Sequence, residues 1–405
     1  MKNQKYIALI DCDSFFVSCE RCLTPELNRM PVSIVSGEKG CVISRSKEAK
    51  LLGVPMGIPL FQAVEKYPEC IYISANHYLY TKISKSVMAI LKEYSPNVEI
   101  YSIDEAFVDL TGLQRLYKKN YYKIAYEIQQ KILNETGVPV TIGISRSKTL
   151  AKLASDKAKT TRTRICLVGK SKIQNFLKQT DIQEVWGIGR RLGVKLRGLG
   201  VKTAFDYIKK EESWIKQKFG KNGLTTQAEL AGINILSINN SKELPKSISD
   251  TKSFLEFTSD LQFLKNELQI HIHECCSRLR KIECKTKTVG VILKTKEFFT
   301  YYEKACLDNA TDFEFDISRV AFEILEKIYN KHALYRSIGI VLEDFSDIEN
   351  EQLVLFNDNK QKEKREKLGK SLDILEKKFG RNIVKTGFTK NPEFKQGFLT
   401  SPKEI

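Results

Sequence analysis

The chain has 405 residues, and its 66 Lys plus Arg exceed its 49 Asp plus Glu, giving a formal net charge of +17. A chain of this length usually does not fold around a single hydrophobic core, so several domains are expected. The charged amino terminus and the lack of a long apolar run disfavour secretion and membrane insertion. Ten irregularly spaced cysteines fit free thiols in a reducing cytoplasm. The excess of basic charge favours nucleic acid as a partner.

The first apolar segment predicts a strand that ends in a carboxylate. Tyr6–Ile10 is a short buried-strand pattern, and Asp11 follows it directly. Asp13 or the next serine can cap a helix that runs towards Pro25. Residues 31–68 then predict a small subdomain of two strands and two helices around the Gly/Pro-rich VPMGIP.

A larger sheet-and-helix domain resumes after this subdomain. A helix begins near Asn76, and the two strands that follow it meet at Asp104 and Glu105. A helix, a strand, the helix SKTLAKLASDKAK and the strand ICLV complete the domain. Together with the first strand, these elements approximate a βαββαβ core of the α+β class.

The next segment, from about Gly169 to Gly232, is predicted to be purely helical. Its VWGIG sequence, followed by a basic helix, resembles a helix-hairpin-helix motif. Such a turn offers backbone N–H groups and a helix N-terminus to a DNA phosphate. The predicted DNA-contacting residues of this turn are Gly187, Ile188, Gly189 and Arg190. The polar residues 237–249 predict an inter-domain linker.

Residues 250–345 predict a second βαββαβ unit, which carries no acidic constellation. Basic residues on its first helix and the strand after it, Arg278 and Lys281 among them, suit a grip on duplex DNA. The same residues could also form a merely solvated basic face. The full basic set is Lys265, Arg278, Arg280, Lys281, Lys285 and Lys287. Residues 346–405 predict a flexible tail with one apolar island, QLVLF.

Three carboxylates carry the candidate chemistry. Transfer of a nucleotide to a 3′-hydroxyl is accelerated by two divalent ions, and Mg²⁺ needs only a few carboxylates beside waters and substrate phosphates. An isolated Asp-Glu pair in a turn is ordinarily a solvated loop. Here Asp11 and the Asp104-Glu105 pair both adjoin apolar strands of one proposed sheet, which favours a metal site.

Five segments, taken in order, resemble the motifs of the Y family of DNA polymerases. They are ALIDCDSFFVSCE, GCVISRSKEAKLLGVPMGIP, SPNVEIYSIDEAFVDLTG, GISRSKTLAKLASDKAK and VWGIGRR. Several of them, with the late QLVLF, look most like the UmuC-type catalytic subunit of bacterial DNA polymerase V. The resemblance covers nearly the whole chain and implies template-directed, error-prone translesion synthesis of the SOS type.

The resemblance also implies a right-handed polymerase. Its palm would be residues 1–15 and 76–168, its fingers 16–75, its thumb 169–236 and its little finger 250–345. Small fingers with Gly/Pro-rich loops imply a loose enclosure of the nascent base pair, and hence tolerance of damaged templates.

Roles for single residues follow from the same resemblance. Asp11, Asp104 and Glu105 would hold two Mg²⁺ ions together with the Cys12 carbonyl, and Phe16 falls at the steric-gate position under the deoxyribose. The implied triphosphate contacts are Ser44, Lys47, Lys50 and Lys159. Tyr and Arg commonly stand in the family where this chain has Lys47 and Lys50, and a lysine lacks the planar fork of arginine.

The implied partners are primer–template DNA and deoxynucleoside triphosphates. The island QLVLF, just after the last domain, resembles the pentapeptide that binds the bacterial sliding clamp, with Gln352, Leu355 and Phe356 as its contacts. The UmuC-type resemblance further implies a UmuD′-type dimer and a RecA filament.

Two other functions remain open from the residues. A nucleotidyl cyclase can use paired acids on a similar core, although it needs no thumb or basic second domain. A non-catalytic DNA-binding adaptor could keep the basic surfaces and the apolar island, although intact Asp11, Asp104, Glu105 and Phe16 argue against it. Dependence of triphosphate turnover on a primer–template separates these alternatives.

Overall fold

A computed structural model describes residues 5–240, 244–347 and 359–379. They form two compact units: residues 5–240 belong to the first, and residues 244–347 and 359–379 belong to the second. Among the described residues, no helix is both long enough and apolar enough to cross a bilayer.

The first unit contains two sheets. Its strands are β1 (Ile7–Cys12), β2 (Val32–Val35), β3 (Val42–Arg45), β4 (Ile71–Ser74), β5 (Val98–Ile100), β6 (Glu105–Asp109), β7 (Val140–Ser145) and β8 (Ile165–Leu167). Five strands form one sheet in the order β5-β6-β1-β7-β8, and three form another in the order β3-β2-β4.

Helices cover these sheets and make up the last part of the unit. They are α1 (Phe15–Leu23), α2 (Lys47–Leu51), α3 (Leu60–Lys66), α4 (His77–Tyr94), α5 (Leu113–Tyr117), α6 (Tyr121–Thr136), α7 (Lys148–Ala158), α8 (Ile173–Lys178), α9 (Arg190–Gly198), α10 (Ala204–Ile208) and α11 (Glu212–Leu230). Short 3₁₀ turns lie at Pro25–Leu27, Lys170–Lys172 and Ile182–Glu184. Within α11 the helical backbone is interrupted at Gly220, whose φ is 63°.

The alternation of side chains along β1 explains how the five-stranded sheet is covered. Ala8 and Ile10 face a large core shared with α1, α4 and α6. Ile7 and Leu9 face the other side, where they pack with Ala151 of α7. Because successive residues of a strand point to opposite faces, an apolar strand of this kind is buried on both sides.

The small subdomain has one strand that the sequence analysis did not predict. β4 pairs in parallel with β2, in the register Val32 opposite Ile71. β4 includes the fully buried Tyr72. Its four residues are too few for the sequence pattern to predict a strand, so its place in the sheet depends on burial in the folded chain.

The second unit is a four-stranded antiparallel sheet with helices. Its elements are β9 (Ser247–Thr258), α12 (Leu261–Lys281), β10 (Cys284–Thr295), β11 (Thr300–Thr311), α13 (Glu314–Ile328), β12 (Tyr335–Asp347) and α14 (Asn359–Phe379). The strand order is β11-β10-β12-β9. Inward residues of β10, such as Val291, share one core with α12 residues such as Ile272.

Two boundaries differ from the sequence predictions. β9 begins at Ser247, so the last residues of the predicted linker 237–249 belong to this sheet. The predicted tail contains α14. The Asp373 carboxylate of this helix accepts hydrogen bonds from Nε and Nη2 of Arg280 at 2.7 and 2.8 Å. This ion pair joins α14 to α12 of the second unit. Local composition does not predict it, because the two residues lie far apart in the sequence. The island Gln352–Phe356 lies outside the described residues.

Candidate active site

Strand pairing brings the three predicted carboxylates together. Asp11 lies directly opposite Glu105 in the antiparallel pair of β1 and β6. Directly opposed residues project to the same face of a sheet, with Cβ atoms about 4.5–5.5 Å apart. The Cys12 N–H donates to the Asp104 carbonyl at 2.9 Å, which joins the turn before β6 to the end of β1.

A serine that the sequence analysis did not single out fixes the acidic turn. The Ser102 hydroxyl donates to Asp104 Oδ1 at 2.5 Å and accepts the Glu105 N–H at 3.0 Å. A serine that accepts backbone N–H groups just after itself is a common turn device. A serine two residues before the acid pair was therefore the sequence signal that could have predicted this turn.

Lysines on and just after α7 contact two of the carboxylates. Lys152 Nζ lies 2.8 Å from Glu105 Oε1 and 2.9 Å from Oε2. Lys159 Nζ lies 2.7 Å from Asp11 Oδ2. Lys159 was predicted as a triphosphate contact, whereas Lys152 was missed, although both lie in the same quoted motif.

The pKa of the Asp11 carboxyl also indicates that the three carboxylates lie close together. Burial raises the pKa of the Asp11 carboxyl to about 6, Lys159 opposes this rise, and the Glu105 and Asp104 carboxylates add to it. Burial disfavours the charge of Lys159, yet the contact with Asp11 raises the pKa of this lysine above its ordinary value. The Asp11 carboxyl is thus largely buried beside two other carboxylates.

This donor set fits a hard divalent cation. Among the described residues, no three Asp, Glu, His or Cys side chains already converge as a metal cage. Lysines instead pair with Asp11 and Glu105. Mg²⁺ takes only one or two carboxylates along with waters and phosphates, so adjacent strand-end carboxylates are sufficient.

A group of cations lies beside the carboxylates. Burial lowers the pKa of Lys50, and repulsion from Arg45, Lys159 and Arg164 lowers it further. Lys50 Nζ is 3.5 Å from the Ser14 hydroxyl at the start of α1. The structure thus brings the predicted Lys50 and Lys159 together and adds two arginines that the sequence analysis did not select.

The other two predicted triphosphate residues lie on elements of the small subdomain. Ser44 is on β3, and Lys47 is exposed in the first turn of α2. Among the described hydrogen bonds and ion pairs, neither residue is joined to Asp11, Asp104 or Glu105.

The predicted hairpin turn leads into the start of α9. Gly187 adopts φ 88°, a conformation that favours glycine, and Ile188 is buried beneath the turn. Gly189 is the N-cap of α9 and supplies no side-chain acceptor, and Arg190 begins the helix. The first N–H groups of α9 therefore lack a side-chain cap.

The basic residues of α12 and β10 are largely engaged within the second unit. Arg278 Nη2 donates to Asp250 at 2.6 Å, and Lys265 pairs with Glu326. Lys285 is buried and Arg280 is paired with Asp373, and a duplex-gripping role for this basic set stays a prediction. Arg278 and Lys281 remain exposed on α12.

Comparisons with known proteins give the family and the fold of this chain. Residues 10–156 match the impB/mucB/samB family, residues 245–355 match its C-terminal domain, and residues 170–201 match the IMS family HHH motif. A solved Y-family DNA polymerase chimera, Dbh-Dpo4(243-245)-Dbh, has a TM-score of 0.72 at 24% identity, covering 84% of this chain and 99% of its own.

Curated relatives extend over almost the full length. UmuC of Salmonella typhimurium is 34% identical, with 93% of this chain and 92% of that protein covered. DNA polymerase IV of Oceanobacillus iheyensis is 31% identical, with 96% and 93% covered.

The fold is that of a Y-family DNA polymerase, so the predicted α+β right-hand architecture with a helix-hairpin-helix and a second βαββαβ domain is confirmed. Within that class, the chain belongs to the impB/mucB/samB family.

Proposed function

We propose that this chain extends a primer opposite damaged template by two-metal phosphoryl transfer at Asp11, Asp104 and Glu105. The chain is a DNA-directed DNA polymerase of the translesion type. One observation carries the residue assignment: Asp11 lies directly opposite Glu105 beside Asp104, with lysines next to these acids. Charge of both signs in one place suits a site that must hold cations and a triphosphate together.

The roles of the residues follow from their chemistry. The three carboxylates and the Cys12 carbonyl would hold two Mg²⁺ ions, which stabilise the attacking and leaving oxygens when bound. The charges of Lys50 and Lys159 would neutralise the triphosphate, aided by that of Arg45, and the mutual influence of these three cations supports a shared site. Ser44 and Lys47 complete the proposed triphosphate contacts. The Phe16 ring excludes a 2′-hydroxyl from the sugar position.

The domain roles are proposed with the boundaries given above, except that the little finger runs from β9 to β12. Residues 1–15 and 76–168 act as palm, 16–75 as fingers, 169–236 as thumb and 247–347 as little finger. The α9 N-terminus at Gly187, Ile188, Gly189 and Arg190 binds a DNA phosphate, since uncapped N–H groups attract anions. Arg278 and Lys281 add phosphate contacts from the second unit.

Further partners are proposed from the sequence and from family membership. Gln352, Leu355 and Phe356 bind the sliding clamp, and a UmuD′-type dimer and a RecA filament assist the enzyme in an SOS response in the cytoplasm. The support is the form of the island and the 34% identity to UmuC.

Primer extension tests the proposal directly. Purified protein is given Mg²⁺, the four deoxynucleoside triphosphates and a labelled primer on an undamaged or an abasic template. We expect template-dependent extension on both, with short tracts. Turnover of triphosphate without primer–template would indicate a cyclase, and DNA binding without extension would indicate an adaptor.

A further inference from the structure

Arg164 lies at the edge of the five-stranded sheet that carries the carboxylates. It directly precedes β8, and its carbonyl accepts the Ile142 N–H of β7 at 2.9 Å. β7 and β8 run parallel and therefore begin at the same edge, whereas β7 pairs antiparallel with β1, with Thr141 opposite Asp11. Adjacent strands lie about 4.8 Å apart, so Arg164 is two strand spacings, roughly 10 Å, from the end of β1.

Asp13 fixes the direction of the Arg164 side chain. Arg164 Nη1 lies 3.6 Å from Asp13 Oδ1, and the same oxygen accepts a hydrogen bond from the Thr141 hydroxyl at 2.7 Å. A separation of 3.6 Å makes an ion pair but is too long for a hydrogen bond. Among the residues that the structure describes, the Arg164 guanidinium donates no hydrogen bond, and this side chain is 34% exposed. Its N–H groups are therefore available to an anion.

Three cations from separate segments contact the residues at the end of β1 and just after it. Lys159 Nζ, at the end of α7, is 2.7 Å from Asp11 Oδ2, and Lys50 Nζ of α2 is 3.5 Å from the Ser14 hydroxyl. Arg164 contacts the residue that precedes this serine. Burial is the main cause that lowers the pKa of Lys50, and repulsion from Arg164 is one of those that lower it further. The three cations thus lie along one side of the carboxylates.

Every basic residue that the sequence analysis predicted as a triphosphate contact is a lysine. A lysine is a point charge, whereas the guanidinium of arginine offers parallel N–H donors that match two phosphate oxygens. Arg45 carries such a guanidinium, but its Nη1 donates to the Val54 carbonyl within the small subdomain. Arg164 is therefore the arginine beside the acids whose N–H groups make no hydrogen bond to the described residues.

We propose that Arg164 binds the triphosphate of the incoming nucleotide through its guanidinium fork, and that Asp13 is a positioning residue that directs this fork. The inference rests on the proposed function, in which Lys50 and Lys159 neutralise the same triphosphate. The fork adds an orientation that point charges do not supply. An Arg164 that only pairs with Asp13 would affect stability and leave the affinity for the nucleotide unchanged.

The test measures steady-state KM and kcat for dCTP opposite a template guanine at saturating primer–template. Arg164→Ala removes the fork and its charge, and we expect KM to rise by about ten- to a hundredfold, the effect of lost charge-assisted hydrogen bonds. Arg164→Lys restores the charge without the fork, so its KM should lie between those of Arg164→Ala and the parent. The value of kcat should change less than KM, because the contact already exists in the bound nucleotide.

Two double variants test the fork and its direction. Lys50→Arg supplies a guanidinium from the neighbouring cation, so adding it to Arg164→Ala should lower KM again by about threefold or more, a coupling typical of adjacent residues. A structural defect in Arg164→Ala would not be repaired by this change on α2. Asp13→Asn should raise KM in the parent chain but not further in Arg164→Ala, because Asp13 acts through Arg164.

Arg162→Ala is the matched control. It removes an exposed arginine two residues earlier in the same connection, and its KM should equal that of the parent. Fluorescence anisotropy should show that Arg164→Ala binds primer–template as tightly as the parent does. Weakened DNA binding with a parental KM would mean that Arg164 contacts a DNA phosphate, and would overturn the proposal.

Lys159→Ala separates this inference from the proposed function. An unchanged KM in Lys159→Ala would overturn the triphosphate assignment together with this inference. If Lys159→Ala raises KM while folded Arg164→Ala keeps the parental value, the triphosphate site stands and Arg164 does not belong to it. Should Arg164→Ala fail to fold, Arg164→Lys decides, since a parental KM in that variant would overturn the role of the fork.

Discussion

The two units repeat one βαββαβ pattern, yet they use their acidic residues differently. In the first, Asp11 and Glu105 lie opposite each other where paired strands end, beside Asp104. In the second, Asp250 is bound by His271 and Arg278, each at 2.6 Å, and is committed to holding β9 against α12. The same architecture thus carries the proposed catalytic site in one unit and a structural contact in the other, because function depends on the site and not on the fold.

The largest expected effect tests this contrast at the proposed metal-binding acids. Asp104→Asn or Glu105→Gln keeps the shape of the side chain but removes the charge that would hold the metals. We expect primer extension to fall by about 10²–10³-fold, in keeping with several kcal/mol of lost transition-state stabilisation. Single-nucleotide extension measures the loss, and fluorescence anisotropy should show DNA binding largely retained. Extension within about tenfold of the parent would refute the assignment.

Asp250→Asn is the matched change in the second unit and should act on stability. Burial opposes the charge of Asp250, but His271 and Arg278 lower the pKa of this carboxyl below its ordinary 3.8. A carboxyl group whose pKa is lower in the folded than in the unfolded state stabilises the fold at pH values above its unfolded-state pKa. This contribution is lost as the pH falls through the folded-state pKa. We therefore expect Asp250→Asn to lower the free energy of unfolding by about 1–3 kcal/mol at neutral pH, while extension persists.

Denaturant titrations between about pH 3 and pH 7 check this prediction. The difference between parent and Asp250→Asn should shrink below the ordinary carboxyl pKa, where both chains carry an uncharged group. A difference that stays constant over the whole range would mean that the ion pairs of Asp250 contribute nothing.

The proposed DNA contacts of the two units can be compared through one arginine in each. Phosphate-dominated binding weakens with salt, with a slope of about −0.9 per neutralised phosphate. Arg190→Ala should reduce that slope by about one with little dependence on base sequence. Arg278→Ala should do the same and also destabilise the second unit, since it removes a contact of Asp250. A slope near zero for the parent chain would contradict phosphate contacts in both units.

The smallest effect on basal synthesis is expected from changes in the island QLVLF. Replacing Gln352, Leu355 and Phe356 by Ala should leave synthesis on a bare template nearly unchanged and remove stimulation by the clamp. A tether raises effective concentration at the primer end without altering the active site. Equal stimulation of the triple mutant and the parent would refute the clamp contact.

Local pattern was enough to predict much of the fold and part of the site. A five-residue apolar run ending in Asp11, and two strands meeting at Asp104 and Glu105, follow from side-chain periodicity. The second βαββαβ unit was predicted for the same reason. β4 was missed because a four-residue buried strand carries too little pattern to distinguish it from a loop.

The sequence by itself determined where carboxylates end strands and where helices and strands alternate, because those properties depend on neighbours a few positions away. Only the tertiary structure decided that Lys152 contacts Glu105, that Tyr80 stacks under Phe16 and that α14 meets Arg280. Each of these pairs joins residues tens of positions apart. Such contacts form only when packing brings separate elements together, so no local period or propensity encodes them.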